Sequence, residues 1–245
     1  MERTKRNGGR RAYALAAILL ACCVPASAGI VMNATRYIYP AGEREITVKI
    51  TNKGSLPVLT QAWIDDGDPK VSPEKVEVPF NLTPPISRIE TGKAQTLRVS
   101  YTGGELPADR ESQFWLNIVE VPPKPEDGGE TNKMQLAFRY RLKLYFRPKG
   151  IKGSSDAAAE NLAWARAADG GLSVSNPADY HVTLNDLEIT AGGESMVVEP
   201  FSIAPHATLS PVLPHAAKPG RVDVRYQSIN DYGGFVPHST TIDER

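Results

Sequence analysis

The sequence predicts an all-β protein built as two sandwiches or barrels joined near residue 148. Three observations carry that prediction. Short runs alternate apolar and polar residues and are rich in β-branched side chains. Gly, Pro and Asn break these runs every ten residues or so, drawing on 20 glycines and 20 prolines. One much longer alternating run, residues 134–147, ends in Pro148-Lys-Gly-Ile-Lys-Gly-Ser-Ser155, which has the composition of a linker.

Residues 1–28 are predicted to be an export leader rather than part of the fold. Arg3, Lys5, Arg6, Arg10 and Arg11 stand against one acid, Glu2, and precede the uncharged, mostly apolar run Tyr13–Val24. Ala26-Ser27-Ala28 then supplies the small residues a signal peptidase reads. The apolar run is shorter than the roughly 20 residues a membrane span needs. Lipidation at Cys22, within Leu19-Leu-Ala-Cys22, is the alternative. The full chain carries 28 basic and 28 acidic side chains. Removing the leader's five bases and one acid leaves 23 and 27, a net charge of −4. Cys22 and Cys23, the only cysteines, leave with it, so the mature chain has no thiol chemistry.

Within the mature chain, Arg44–Thr51 alternates, Asn52-Lys-Gly-Ser55 turns, and Pro57–Ile64 reads as the returning strand. Gln95–Tyr101 and Gln113–Val121 follow, the latter stopped by Pro122-Pro123. In the long run every even position from Met134 to Phe146 is apolar or aromatic, while odd positions include Gln135, Arg139, Arg141, Lys143 and Arg147. As one strand it would reach roughly 45 Å, against a usual length of about 5–6 residues. Either two strands meet at a bend, or one strand projects an apolar edge for a partner. Ala157–Ala168 is a short helix or a single turn before a strand. Strand patches at Leu172–Val174, His181–Ile189, Glu194–Val198 and Arg221–Tyr226 fit a second, smaller β domain.

Several function classes have no support. A neutral or weakly acidic chain offers no field for a polyanion, which excludes a general nucleic-acid binder. His181, His206, His215 and His238 lie in no zinc-binding spacing and are expected on the surface. Asp65-Asp-Gly-Asp68 hints at calcium, but Pro69 follows and Val76 occupies the position of the bidentate acid, so it reads as a turn. No nucleophile elbow, P-loop or dinucleotide fingerprint occurs. No catalytic residue, metal or cofactor is predicted, and no segment of the mature chain is apolar enough to span a bilayer.

Six stretches in order resemble the periplasmic pilus-assembly chaperones of the PapD-like family: Asn33–Pro40, Gln61–Ile64, Leu82–Ile86, Asp109–Asn117, Leu142–Pro148 and Ile229–Gly234. The resemblance implies two immunoglobulin-like β-sandwich domains, residues 29–148 and 149–245, meeting at an angle around a cleft. It implies a chaperone, not an enzyme, that holds pilin subunits by donor-strand complementation, a form of β-augmentation, and delivers them to an outer-membrane usher. On this reading Met134, Leu136 and Phe138 fill the subunit groove. Arg36 and Lys143 bind the subunit's terminal carboxylate, and Glu111, Arg147 and Asp231 form an interdomain ion cluster. Leu59, Gln61, Thr83, Pro85, Arg98, Val121 and Pro123 match an usher-facing patch. The loop from Pro122 to Lys133 and the absence of mature cysteines fit the short-loop branch, which builds rod-like pili. Whether the free chaperone caps its own edge as a homodimer is left open.

Lys143 is odd and the groove-filling residues are even, so an ideal pleat sends them to opposite faces; a bulge between Phe138 and Lys143 is expected if they share one. The rival readings are a pilus subunit or adhesin and a secreted β-sandwich carbohydrate-binding module.

Overall fold

The computed structural model describes residues 29–123, 136–167 and 171–243. The predicted leader and Met134 lie outside the described residues.

The first half of the chain forms a sandwich of two sheets. One sheet runs in the order β1 (Ile30–Met32), β3 (Ile46–Asn52), β7 (Ala94–Tyr101), β5 (Phe80–Thr83). The other runs β2 (Arg36–Pro40), β9 (Phe138–Arg147), β8 (Ser112–Val121), β4 (Val58–Asp65), β6 (Ile86–Ile89). Between Met32 and Arg36 the chain crosses from one sheet to the other. β2 is therefore free to pair in parallel with β9, while β1 pairs antiparallel with β3. Alternation drives the packing: Val48, Ile50, Leu97, Val99, Leu116, Ile118 and Leu144 point inward and are almost fully buried. Tyr39, Phe80, Tyr101, Phe114 and Phe146 close one end, with Phe80 edge-on to Phe114 at 4.9 Å between centroids. Tyr39 satisfies its hydroxyl by accepting the Tyr101 N–H at 3.0 Å and donating to the Glu43 and Arg44 carbonyls.

After β9 comes α1 (Ser155–Glu160), whose first turn is capped by the Ser154 hydroxyl accepting from the Ala157 N–H. β10 (Ala163–Arg166) follows, so the alanine-rich stretch supplies both a short helix and a strand. The second sandwich sets β10, β11 (Leu172–Ser175) and β15 (Thr208–Leu209) against a larger sheet. That sheet runs β13 (Glu194–Val198), β12 (Val182–Ala191), β16 (Val222–Ile229), β17 (Phe235–Ile242), and β14 (Phe201–Ile203) also pairs with β12. Leu172, Val174, Leu184, Leu187, Ile189, Val222 and Val224 are its fully buried centre.

Two expectations change here. The register from Ser112 opposite Phe146 to Glu120 opposite Phe138 is unbroken, so Phe138–Arg147 is one strand without the expected bulge before Lys143, shorter than the run from residue 134. A bulge does occur, but in β12, where the register against β16 shifts between Asn185 and Glu188 and Asp186 sits at φ 47°. The histidines are not all on the surface: the His181 side chain is only 10% exposed and packs 5.2 Å from the Tyr145 ring. His238 stacks on Tyr226 at 4.9 Å and hydrogen-bonds Ser228.

Candidate functional site

β9 is covered on only part of one side. β2 pairs with Lys143–Arg147, whereas Phe138–Leu142 pair with β8 alone among the described residues. That half-strand carries an open main-chain edge. Its even side chains continue the core row outward: Leu144 and Phe146 are buried and Tyr140 and Leu142 are partly buried against the same core. Beyond them Phe138 is 55% exposed and Leu136, just before the strand, 56% exposed. An apolar row thus leaves the first sandwich and runs into open space beside unpaired backbone.

The odd face of β9 points the other way, toward the second sandwich. Arg36 and Lys143 stand opposite one another in the parallel register, so their side chains emerge on the same side. Lys143 Nζ donates to the Thr183 hydroxyl at 2.7 Å and to the Ser202 hydroxyl, both on the second sandwich. Arg36 Nη1 donates to the Ile229 carbonyl at 2.7 Å, and its buried Nε has no hydrogen-bond partner among the described residues. All the acceptors are neutral, so two adjacent cations meet without a carboxylate in contact among the described residues. Burial, and then the neighbouring Arg36 charge, draw the Lys143 pKa down to about 8. Burial likewise holds the Arg36 pKa below its ordinary value, against the opposing fields of Tyr145, Asp231 and Glu111.

The junction beside this pair is ionic. Arg147 Nε donates to Glu111 at 2.7 Å, while its two terminal nitrogens bind Asp231 side-on at 2.7 and 2.9 Å. Burial alone would lower the Arg147 pKa, but the hydrogen bonds to Asp231 and the Glu111 charge hold it above its usual value. The second Glu111 oxygen accepts the His181 backbone N–H at 2.9 Å. The sequence offered no sign of Thr183 or Ser202, because isolated hydroxyls on strands carry no pattern, and it named His181 only as a surface residue. Asp231 sits in the hairpin between β16 and β17. Gly233 of that hairpin has φ 82° and approaches Thr35 so closely that a Cβ there would run into the Thr35 hydroxyl.

The seven residues of the predicted usher-facing patch are all exposed but fall in two groups. Leu59 opposite Val121, with Gln61 beside them and Pro123 beyond, lies on the outer face of the β4–β8 pair. Thr83 opposite Arg98 lies on the other sheet, and Pro85 is in the connection between them. Arg98 is held by Glu45 at 2.6 Å.

Comparison with known proteins gives this architecture its family. Residues 29–152 match the pili and flagellar-assembly chaperone PapD N-terminal domain, and residues 157–240 match the pili assembly chaperone PapD C-terminal domain. The chain belongs to the PapD family of pilus-assembly chaperones. Among the relatives, the chaperone protein FimB/FhaD of Bordetella pertussis is 44% identical, covering 99% of each chain. The Pseudomonas aeruginosa CupB2 chaperone superposes with a TM-score of 0.74 at 40% identity, over 86% of this chain and 100% of that one. The Salmonella enterica SafB chaperone, solved in complex with the SafA pilin, matches at TM-score 0.73 and 30% identity, over 88% of this chain and 96% of that one. A PapD-family chaperone is a periplasmic assembly factor rather than an enzyme. Among the described residues no helix is long and apolar enough to cross a membrane, and no group of His, Asp or Glu is arranged to hold a metal ion.

Proposed function

We propose that this chaperone holds a pilin subunit by lending it β9. The open edge of Phe138–Leu142, with the apolar row of Leu136 and Phe138 beside it, carries the reading. A subunit lacking its final strand exposes an apolar groove and two unpaired edges, and would aggregate. The backbone of β9 closes those edges while Met134, Leu136 and Phe138 fill the groove. Arg36 and Lys143 bind the subunit's terminal carboxylate and so fix its register, and Glu111, Arg147 and Asp231 hold the two sandwiches at the angle that forms the cleft. The leader exports the chain to the periplasm, and the exposed group around Leu59 and Val121 meets the usher.

Expression with and without the chaperone, followed by co-purification from periplasm, tests the reading. A pilin subunit of the same fimbrial system is expected as a stable one-to-one complex, and is degraded or aggregated when the chaperone is absent. Equal pilin recovery in both would contradict it.

The carboxylate anchor also predicts a pH dependence. Lys143, with its pKa near 8, is charged in the free chaperone below that pH and neutral above it. A bound carboxylate raises the pKa, so binding takes up a proton above about pH 8. Affinity for a pilin carboxylate is expected to be flat from pH 6 to about 8, then to fall toward about tenfold per pH unit. The free chaperone behaves oppositely: the folded state binds fewer protons than the unfolded one between about pH 8 and 10.4, so this group's contribution to stability rises across that window. A binding isotherm unchanged to pH 10 would contradict a Lys143 anchor whose pKa is lowered in the free chaperone.

A further inference from the structure

The odd face of β9 carries more than the anchor. Arg139 and Arg141 follow Lys143 outward on the same face, so three cations line a strand whose outer half has no second neighbour among the described residues. Like charges at alternate positions of a strand repel one another. Two indoles and one buried acid receive the two arginine arms. The Arg139 guanidinium lies over Trp63 at 4.8 Å and that of Arg141 over Trp115 at 4.4 Å. Both arms reach back across β8 to Asp65 at the end of β4, whose side chain is fully buried.

Each Asp65 oxygen is used. Oδ1 accepts from Arg141 Nη2 at 2.6 Å and from the Gly67 N–H at 2.8 Å. Oδ2 accepts from Asn117 Nδ2 at 2.7 Å and lies 3.5 Å from Arg139 Nη2. Asn117 returns its own oxygen to Arg139 at 2.7 and 3.0 Å, and Arg139 Nη1 donates to the Pro69 carbonyl. The acidic turn that superficially suggests calcium is thus closed around guanidinium groups.

We propose that Asp65 is a positioning residue for the donor strand. It touches no subunit. By drawing the charged side chains of Arg139 and Arg141 flat across β8, it holds the uncovered half of β9 straight. It also keeps the cations off the open edge, so that an incoming strand meets only backbone and the apolar row. A rigid, pre-ordered edge lowers the ordering cost of capture. The proposal rests on the donor-strand reading, and its test separates the two.

The probe is the pilin that co-purifies with the wild-type chaperone, added from denaturant to the full chaperone. Asp65→Asn is expected to slow its capture about tenfold and to speed exchange of the amides of Phe138–Leu142 that face β8 by a similar factor, with Lys143–Arg147 unchanged. A synthetic peptide of that pilin's last few residues, with a free carboxylate, should bind Asp65→Asn as well as wild type, because Arg36 and Lys143 are untouched. Wild-type capture and exchange rates in a folded Asp65→Asn chaperone overturn the proposal. So does a parallel fall in capture and peptide binding, which would mean general damage to the first sandwich. Should Asp65→Asn fail to fold, Arg139→Met, at a partly exposed position, must show the same pattern more weakly, and wild-type rates there also overturn it. If wild type captures no pilin, the donor-strand reading has failed, while the exchange rates still decide whether Asp65 orders the strand.

Discussion

Replacing Leu136 with Glu should leave the free chaperone folded and abolish its complexes with pilin. In the free protein the Leu136 side chain is more than half exposed, so the change costs roughly 0.5 kcal/mol or less. In the complex the same position would sit in an apolar groove, with no cation to pair an added carboxylate. Burying an unpaired charge there costs several kcal/mol, enough to lower affinity by about a thousandfold or more. Leu136→Ala is the graded control: it removes only apolar contact, about 2 kcal/mol, and should weaken binding without eliminating it. Thermal unfolding of each variant shows whether the fold survives, and periplasmic co-purification reads the complex. Wild-type recovery of pilin with Leu136→Glu would remove the residue from the binding row.

Arg36→Ala and Lys143→Ala should each lose most pilin recovery for a different reason. On the proposed anchor, each would remove one of two charge-assisted bonds to the subunit carboxylate, about 1.5–3 kcal/mol, or roughly ten- to a hundredfold in affinity. Register suffers as well, because a subunit held by main-chain bonds alone slips along the strand in steps of two residues. Stability should change little, since each loss of hydrogen bonds to the second sandwich is offset by relief of the repulsion between two adjacent cations. Amidating the carboxylate of a short pilin peptide should weaken its binding to wild type more than to either variant, each of which keeps one of the two cations. An amide that binds wild type as tightly as the free acid would sink the anchor.

The strand that matters most was also the easiest to read. Alternate apolar positions from Met134 to Phe146, of which the five from Phe138 lie in β9, mark the strand because pleating alone generates that period. Which half of it stands open is set by β2, and β2 is nearly silent. Arg36–Pro40 is buried on both faces, as parallel strands tend to be, and so shows no alternation. β1, β5, β6, β14 and β15 are too short to carry a period, and β17 alternates with little apolar content. Arg36 and Lys143 came from family resemblance, not pattern, and the bulge expected between Phe138 and Lys143 came from assigning anchor and row to one face. They occupy opposite faces of one regular strand: the row prolongs the strand's own core, and the cations meet the second sandwich. Asp65 illustrates a further limit. Its carboxylate is next to Asp66 and Asp68 in sequence, but its charge partners lie more than 70 residues away, and only the β4–β8–β9 register brings them within reach.

Amide hydrogen exchange along β9, in the free chaperone and in its complex with pilin, tests the central claim most directly. Between Phe138 and Leu142, the alternate amides that face away from β8 should exchange readily in the free protein and be protected by about a hundredfold or more in the complex. Those of Lys143–Arg147, already paired with β2, should change little. A stable complex in which Phe138–Leu142 exchange as fast as in the free chaperone would show that the subunit is held elsewhere.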